Sequence, residues 1–496
     1  MVNIENLQII PTPKHVKCLG TRSFYKAEIS APHQAFQDAA EVFVTYADKM
    51  GMRFGWSETG AIAIRYDAEL GAGAYRLLAD GRTVKLFAAD SAGANHAFAT
   101  LLQIMEGCEE PAGNVTIPDC EIADAPDCSY RGMMVDLARN WHEFPYLIRY
   151  VDQCYFYKLS VLHLHFTDDQ SYTLPSKLFP KLSTEGRCYT EEQIAALNRY
   201  AHARGIQLMP EIDVPGHCVS FQEGYPDLFG TGGIICQHPQ SIEAMQALFH
   251  ELCAMFPASR CIHIGGDEAQ IENWLKCPRC REYACAIGID PAAEDQKLAA
   301  ERLYAHFIDK MAEAVFAEDK IPVAWEGFAA QVNDFVSKDI LMMSWENYYQ
   351  VTPSLLEAGF QIINCSWNPM YIVTPEPAWT PQEIYQWTIY QWIPVHGGSP
   401  YLGTGITIEP SPQVRGGQLL AWGDRIAGAY PTAKEGVAAE ARLLLERLPY
   451  LAENTWNIEK RVPFETIEKT SARINEKIEK IAAETAVKID SGVESR

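Results

Sequence analysis

From residue 130 onward, short apolar runs alternate with longer amphipathic segments in a regular order. Eight of the runs have the length and composition of β-strands, and segments with helical spacing separate them. Parallel strands need such long crossovers, usually helices, so the pattern is typical of parallel α/β folds. Eight strand–helix units predict a (β/α)8 or TIM barrel, in which functional side chains lie at the carboxyl ends of the strands. The predicted strands are 130–137, 160–166, 206–212, 261–265, 321–325, 340–345, 360–366 and 418–422, and the helices between them include 145–157, 191–204, 242–255, 294–316 and 434–448.

The chain is long enough for more than one domain. Residues 1–125 predict a separate α+β supporting domain, with strands at 61–66 and 84–88, a helix at 92–105, and no catalytic constellation. We assign 126–455 to the barrel and 456–496 to a C-terminal extension, in which a helix over 464–486 precedes a polar tail.

The charge balance restricts the partners. A chain of 496 residues with 41 basic and 64 acidic side chains has a formal net charge of −23. An acidic surface repels nucleic-acid phosphates and anionic membranes, and no run of apolar residues is long enough for a transmembrane helix. We therefore expect no nucleic acid and no membrane insertion, and a neutral substrate is compatible with this charge.

The fourteen cysteines have no repeating spacing, and the first twenty residues contain no apolar core of the signal-peptide type. Both features predict free thiols in a reducing compartment, the cytoplasm. A secreted protein whose signal peptide has been removed is the alternative. One pair, Cys277 and Cys280 with Cys285 nearby, resembles half a zinc knuckle. Since no second pair follows at a suitable spacing, free thiols in a loop are the favoured interpretation.

The segment 261–269 reads CIHIGGDEA: an apolar strand bends at two glycines and ends on Asp267 and Glu268. Where a strand ends and the backbone turns, two adjacent side chains can enter one pocket. Carboxylates in one enclosed site have pKa values that are pushed apart, so that one donates a proton while the other stays charged. The alternative is a solvated pair at the start of a helix, where acidic residues favour the dipole.

Polar residues or tryptophans also follow nearly all of the remaining predicted strands. Aromatic rings pack on the C–H faces of sugars, hydroxyls need convergent polar groups, and glycosidases place two carboxylates beside the scissile bond. The pattern therefore predicts a carbohydrate pocket. Its members lie at 139–142 after strand one (with Arg131 at the start of that strand), 163–170, 210–217, 325–326, 345–346, 366–371 and 422–424.

Two other functions stay open. His163 and His165 share one strand face, and Asp168, Asp169, Asp213 and His217 could join them in a metal-dependent amide hydrolase. Against this, a histidine on the second strand is often a hydrogen-bonded core residue, and the carboxylates outnumber plausible ligands. We therefore predict no metal and no cofactor. The third possibility is a sugar-binding protein without catalytic activity.

Four segments together resemble those of family 20 glycoside hydrolases, the β-N-acetylhexosaminidases. They are 131–136 (RGMMVD), 162–170 (LHLHFTDDQ), 210–217 (PEIDVPGH) and 263–268 (HIGGDE), in the family's order and spacing. The resemblance covers residues 1 to 455 in architecture, since the family also carries a small α+β domain before its barrel. It implies an exo-acting retaining enzyme that removes terminal β-linked GlcNAc or GalNAc from glycans or glycoconjugates.

The resemblance also implies substrate-assisted catalysis, in which the substrate's 2-acetamido oxygen attacks the anomeric carbon and forms a cyclic oxazolinium. Glu268 would be the general acid and then the base, while Asp267 would hold the acetamido N–H. The implied substrate contacts are Tyr371 on the acetamido oxygen, Trp325, Trp345 and Trp422 around the acetamido group, and Arg131 and Asp424 on sugar hydroxyls. The implied supporting groups that orient the acid and tune its pKa are Asp168, His217 and His163.

Three departures from the family pattern concern specificity. Val373 stands where the family commonly has an Asp, Asp424 replaces the usual Glu, and Ser171-Tyr172 replaces a Gly-Trp pair. All three are expected on the hydroxyl-binding or leaving-group side. The substrate-borne nucleophile predicts a pocket that requires the acetamido group, and the departures at Val373 and Asp424 predict one that is lenient at O4.

Overall fold

The computed structural model describes residues 7–108, 113–293, 295–460 and 462–490. Its first part is a mixed sheet in the order β1-β8-β5-β6-β4-β2-β3, with β7 paired to β8. The predicted strands at 61–66 and 84–88 and the helix at 92–105 are confirmed. The elements are β1 (His15–Lys26), β2 (Glu28–Ser30), α1 (Gln37–Lys49), β3 (Gly55–Trp56), β4 (Ile62–Tyr66), β5 (Tyr75–Ala79), β6 (Val84–Ala88), α2 (Ser91–Ile104), β7 (Glu106–Gly107) and β8 (Asn114–Asp124).

Eight parallel strands form the second part, and all eight predicted runs are confirmed. Neighbours pair in the order β17-β16-β15-β14-β13-β10-β9-β21, and the pairing of β17 with β21 closes the barrel. The strands are β9 (Tyr130–Asp136), β10 (Val161–His165), β11 (Thr167–Asp168), β12 (Ser171–Tyr172), β13 (Gln207–Glu211), β14 (Cys261–His263), β15 (Ile321–Trp325), β16 (Leu341–Ser344), β17 (Gln361–Asn364), β18 (Tyr371–Ile372), β19 (Gln391–Trp392), β20 (Ile406–Thr407) and β21 (Val414–Ala421). The short strands β11, β12 and β18–β20 lie outside the eight barrel staves. Every residue of β9 and β10 is buried, as expected for strands that are covered on both faces.

The helices between the strands surround the barrel. They are α3 (Phe144–Phe156), α4 (Glu191–Ala203), α5 (Val219–Gly224), α6 (Pro226–Phe229), α7 (Pro239–Met255), α8 (Pro278–Ala286), α9 (Gln296–Phe316), α10 (Thr352–Glu357), α11 (Trp367–Met370), α12 (Pro381–Gln386), α13 (Ala433–Trp456) and α14 (Phe464–Asp490). Capping boxes at Thr190 and Thr432 begin α4 and α13. Helix α7 begins three residues before its predicted start because Pro239 suits a first helical turn. No helix in the described ranges is long and apolar enough to cross a bilayer.

The C-terminal helix α14 joins the two parts. Its Thr485 hydroxyl accepts a hydrogen bond from Lys49 Nζ of α1 at 2.8 Å, and its Lys477 donates to the Leu102 carbonyl of α2 at 2.9 Å. On the barrel side, the Tyr157 hydroxyl donates to Asn475 Oδ1 at 2.5 Å. The extension therefore supports the fold on the side of α1, α2 and α3, away from the carboxyl ends of the strands.

Candidate active site

The turn after β14 places two carboxyl groups at the mouth of the barrel. Gly265 and Gly266 have φ values of +73° and +120°, a backbone region that favours glycine. A Cβ atom on Gly265 would overlap the carboxylate of Asp213. The sharp turn therefore depends on these glycines, and it directs Asp267 and Glu268 into one site.

Asp267 is buried, and its Oδ1 has no hydrogen-bond partner among the described residues. Burial and the charge of Glu268 raise the pKa of Asp267. Asp213 lies next to it, and burial together with the charge of Asp267 raises the pKa of Asp213 well above its usual value. A buried acceptor without a donor is costly, so this oxygen is suited to an N–H group of a bound ligand.

Glu268 faces the solvent side of the site, with 54% of its side chain exposed. It adopts a left-handed backbone with φ of +48°, which is uncommon for a residue with a side chain and concentrates at functional sites. Its Oε2 lies 3.4 Å from Nε2 of His217. The hydrogen bond from His217 lowers the pKa of Glu268, against the opposing effect of burial.

His217 connects Glu268 to Asp168. Its Nδ1 lies 3.3 Å from Asp168 Oδ1, and it also has a left-handed backbone with φ of +44°. Burial would lower the pKa of His217, but the charge of Asp213 and hydrogen bonds to Asp168 and Glu268 raise it well above 6.5. The imidazole can therefore hold a proton at neutral pH and share it with Glu268.

Asp168 is the last member of this series of contacts from Glu268 through His217. Burial would raise its pKa, but hydrogen bonds from His165 and His217 and the charge of Arg139 hold it well below the usual range. His165 Nε2 lies 3.0 Å from Asp168 Oδ2, and an Arg139 guanidinium nitrogen lies 2.6 Å from the same oxygen. The carboxylate stays ionised and keeps His217 oriented toward the acid.

A layer of buried histidines lies beneath the site, around the carboxylate of Glu211. The carboxylate oxygens of Glu211 lie 2.6 Å from His165 Nδ1, 3.0 Å from His163 Nε2, 2.9 Å from His263 Nδ1 and 2.7 Å from Trp325 Nε1. His165 Nδ1 and Trp325 Nε1 donate to this carboxylate, while His163 Nδ1 accepts from Gln418 Nε2 at 3.1 Å, which supports the interpretation of His163 and His165 as hydrogen-bonded core residues. The His163 ring stacks on that of His263, with centroids 4.8 Å apart, so His163 lies beneath the site.

Aromatic rings form the opposite wall. Tyr371 stacks on Trp367 with centroids 4.6 Å apart and lies 6.0 Å from the Trp345 ring. Trp422 lies 6.1 Å from Tyr371 and 6.0 Å from Trp325. The structure therefore brings the predicted aromatic residues together and adds Trp367, which the sequence placed at a strand end without a role.

The expected role of Arg131 is wrong. Arg131 is the second residue of β9 and thus lies at the amino end of the barrel, buried. It donates to the carbonyls of Lys158 and Cys128 and lies over Trp456 at 5.2 Å. Arg139, three residues after β9 ends, reaches the site instead: it lies 5.2 Å over the Trp422 ring and 3.4 Å from His217 Nδ1.

Of the three departures, Asp424 lies near Arg139, and Val373 follows the strand that carries Tyr371. Asp424 is 44% exposed, and burial raises its pKa while the charge of Arg139 opposes this. Val373 follows β18 directly after the aromatic wall and is partly buried. The third expectation is wrong: Ser171 and Tyr172 are fully buried in the hairpin, where Tyr172 packs against Phe221, so they do not face a leaving group.

The structure adds one further carboxyl group. Burial and the charges of Glu268 and Asp267 raise the pKa of Glu346 to about 8. The same two charges act on Tyr349, whose pKa is raised mainly by burial. Position after a strand was the only sequence signal for Glu346, and it did not separate this residue from the other strand-end acids.

Comparison with known proteins agrees with this geometry. Residues 128–459 match the family model for the catalytic domain of glycosyl hydrolase family 20, and residues 6–125 match that family's domain 2. A beta-hexosaminidase of Vibrio furnissii is 29% identical over 399 residues, which are 72% of this chain and 62% of that protein. One from Akkermansia muciniphila is 34% identical over 255 residues, 45% of this chain and 51% of that protein. The chain thus spans between half and two thirds of the length of these curated relatives.

Solved structures share the fold. The exo β-N-acetylglucosaminidase of Vibrio harveyi, in complex with N-acetylglucosamine, superposes with a TM-score of 0.78 at 23% identity, covering 96% of this chain and 77% of that one. The β-N-acetylhexosaminidase of Bacteroides fragilis gives 0.76 at 22% identity, covering 95% and 96%. With both domains matched and the strand-end carboxyl pair in place, the chain belongs to glycosyl hydrolase family 20.

Proposed function

We propose that the protein is an exo-acting retaining β-N-acetylhexosaminidase that removes terminal β-linked GlcNAc or GalNAc. One observation carries the proposal: the buried Asp267 offers an unpaired oxygen beside Glu268, which His217 holds at 3.4 Å, within an aromatic pocket. The names of the relatives and of the Vibrio harveyi neighbour support this activity and an exo mode of action.

The proposed reaction begins with the acetamido group of the substrate. Its N–H donates to Asp267 Oδ1, its oxygen accepts from the Tyr371 hydroxyl, and the oxygen attacks the anomeric carbon. The bond between the anomeric carbon and the glycosidic oxygen breaks as Glu268 gives a proton to this leaving oxygen. The product of this step is an oxazolinium, whose positive charge the Asp267 carboxylate stabilises.

In the second step, Glu268 takes a proton from a water molecule that opens the oxazolinium and restores the starting configuration. The lowered pKa of Glu268 suits this base role, and the proton shared with His217 supplies the acid role of the first step. A filled pocket would also desolvate the half-exposed Glu268 and raise its pKa toward the acid form.

A chromogenic β-N-acetylglucosaminide tests the proposal. We expect turnover that survives brief treatment with a chelator. No turnover would favour a sugar-binding protein without activity. Immediate loss of turnover on addition of the chelator would favour the metal-dependent hydrolase. A plain β-glucoside is the matched control and should not react, because it lacks the internal nucleophile.

We further propose that the pocket discriminates poorly at O4. The Val373 side chain cannot accept a hydrogen bond, and Asp424 is half-exposed and shorter than the usual Glu. A wall without hydrogen-bond partners for a hydroxyl separates epimers only weakly. Comparable kcat/KM values on matched GlcNAc and GalNAc glycosides are expected, and a preference on the order of a thousandfold would contradict the proposal.

A reducing compartment, the cytoplasm, is our proposal for the location. All fourteen cysteines are free of disulfides, which supports it. Fractionation of the source cells with an antibody against the chain tests it, and activity confined to the secreted fraction would contradict it.

A further inference from the structure

Three cysteines from two separate loops meet outside the carbohydrate site. Cys236 lies between β13 and α7, whereas Cys277 and Cys280 lie at the start of α8. The Sγ atom of Cys236 is 3.8 Å from that of Cys277 and 3.4 Å from that of Cys280. The three thiols lie within 4.8 Å of one another, although 41 and 44 residues separate Cys236 from the other two.

These spacings match a metal site. A disulfide would bring two sulfurs to about 2.05 Å. Thiolates bound tetrahedrally to zinc at about 2.3 Å lie about 3.8 Å from one another. We propose that Cys236, Cys277 and Cys280 bind one zinc ion as thiolates, in a structural site that is independent of the proposed glycosidase chemistry.

The surroundings supply partners for thiolate ligands. Because Cys236 and Cys280 are buried, negative charge on their sulfurs needs nearby donors or cations, and the backbone N–H of Gln237 donates to Cys280 Sγ at 3.2 Å. Three thiolates and a divalent ion carry a net charge of −1. Arg279, which lies between Cys277 and Cys280 in sequence, places a positive charge there while its guanidinium donates to the Asp227 carbonyl at 2.9 Å.

A tetrahedral ion needs a fourth ligand. His238 is two residues after Cys236, and its Nδ1 lies 2.9 Å from Gln240 Oε1. Its Nε2 now lies 3.0 Å from the Ser241 hydroxyl and 3.2 Å from Arg279. Since both ring nitrogens of His238 have other partners, a water molecule is the expected fourth ligand; His238→Ala should then keep the ion, and loss of the ion in that variant would assign the position to His238.

The ion would connect the two loops that carry the proposed acid and its histidine. Trp274, six residues after Glu268, donates from Nε1 to the Ile235 carbonyl at 2.7 Å. The Ile235 N–H donates to the carbonyl of Pro215, two residues before His217, at 2.9 Å. A metal at Cys236 would therefore fix the loops that carry Glu268 and His217 relative to each other, without contacting the substrate.

Metal analysis of the full chain tests the proposal without any activity measurement. The protein is purified under reducing conditions, incubated with zinc, desalted and analysed by mass spectrometry for bound metal. We expect about one zinc ion per chain, with thiol protons released on binding. Cobalt in place of zinc should give the thiolate-to-metal charge-transfer band of a tetrahedral sulfur site.

The variants Cys236→Ser and Cys280→Ser should lose the ion, and Cys285→Ser is the matched control. Cys285 lies on the same helix but is exposed and outside the cluster, so its variant should keep about one equivalent. Should a variant fail to fold, alkylation of the native chain decides instead. Zinc should then protect positions 236, 277 and 280 from the reagent, whereas position 285 reacts.

Three results would overturn the proposal. They are no retained zinc and no charge-transfer band in the reduced protein, a disulfide between Cys236 and Cys280 in non-reduced peptides, and metal binding that survives Cys280→Ser. A chain that binds zinc but hydrolyses no glycoside would refute the proposed function alone.

Discussion

Replacing Glu268 with Gln should remove the proposed proton donor and leave the local structure unchanged. The amide has nearly the same volume and can still accept the hydrogen bond from His217, 3.4 Å away. Since 54% of the side chain is exposed, we expect the free energy of unfolding to change by no more than about 0.5 kcal/mol. What disappears is the proton for the leaving oxygen, and general acid catalysis contributes about 10²–10⁴-fold, or roughly 3–5 kcal/mol.

The loss should depend on the leaving group. A sugar aglycone needs the proton, so kcat/KM of Glu268→Gln on a β-linked disaccharide should fall by about 10²–10⁴-fold. A dinitrophenyl aglycone leaves as a stable anion, so kcat/KM on that glycoside should change by only a few-fold, on the order of tenfold at most. kcat/KM is the informative parameter because it reports the bond-breaking step. Equal losses on both substrates, with the melting temperature unchanged, would refute the assignment of Glu268 as the acid.

Three further predictions follow from neighbouring groups. Asp267→Asn should lower kcat/KM on all substrates by about 10²–10³-fold, because the acetamido group must be held whatever the leaving group, and a dinitrophenyl glycoside at normal rate would contradict this. The raised pKa of His217 keeps the proton that it shares with Glu268 through neutral pH, so activity should fall only as pH rises past that value. In His217→Phe the hydrogen bond that lowers the pKa of Glu268 is lost, so the pKa of this carboxyl rises toward its ordinary value but stays below the raised pKa of His217. The alkaline limb of the pH profile of kcat/KM should therefore move about one unit or more toward acid. Gly265→Ala should destabilise the fold by more than about 2 kcal/mol, because a Cβ there meets a buried carboxylate; Gly288→Ala, with φ of +82° and open space around it, should cost only about 1 kcal/mol, and equal melting temperatures would contradict the argument.

Some features of this protein follow from local sequence alone. Apolar runs at strand length and helices at 3.6-residue spacing are local patterns, so the eight strands of the barrel could be predicted within a few residues. The pair Asp267-Glu268 could also be predicted, since the two glycines before it are required by the turn itself. Strand-end position predicted Asp168 and His217 on the side of the site, because the carboxyl ends of all parallel strands face one side, whereas their supporting role was implied only by the family resemblance.

Other features were decided by packing between distant segments. Arg131 and Arg139 flank the same strand, and only the closed barrel shows that the first lies at its amino end and the second beside Trp422. The cluster of Cys236, Cys277 and Cys280 depends on two loops that neighbouring barrel strands bring together, which no spacing rule for adjacent cysteines reports. Periodicity and turn chemistry act over a few residues, whereas the approach of two loops depends on the closure of the whole barrel. For that reason the sequence determined the strand-end carboxyl pair and its framework, and the tertiary structure decided which arginine reaches the site and which thiols meet.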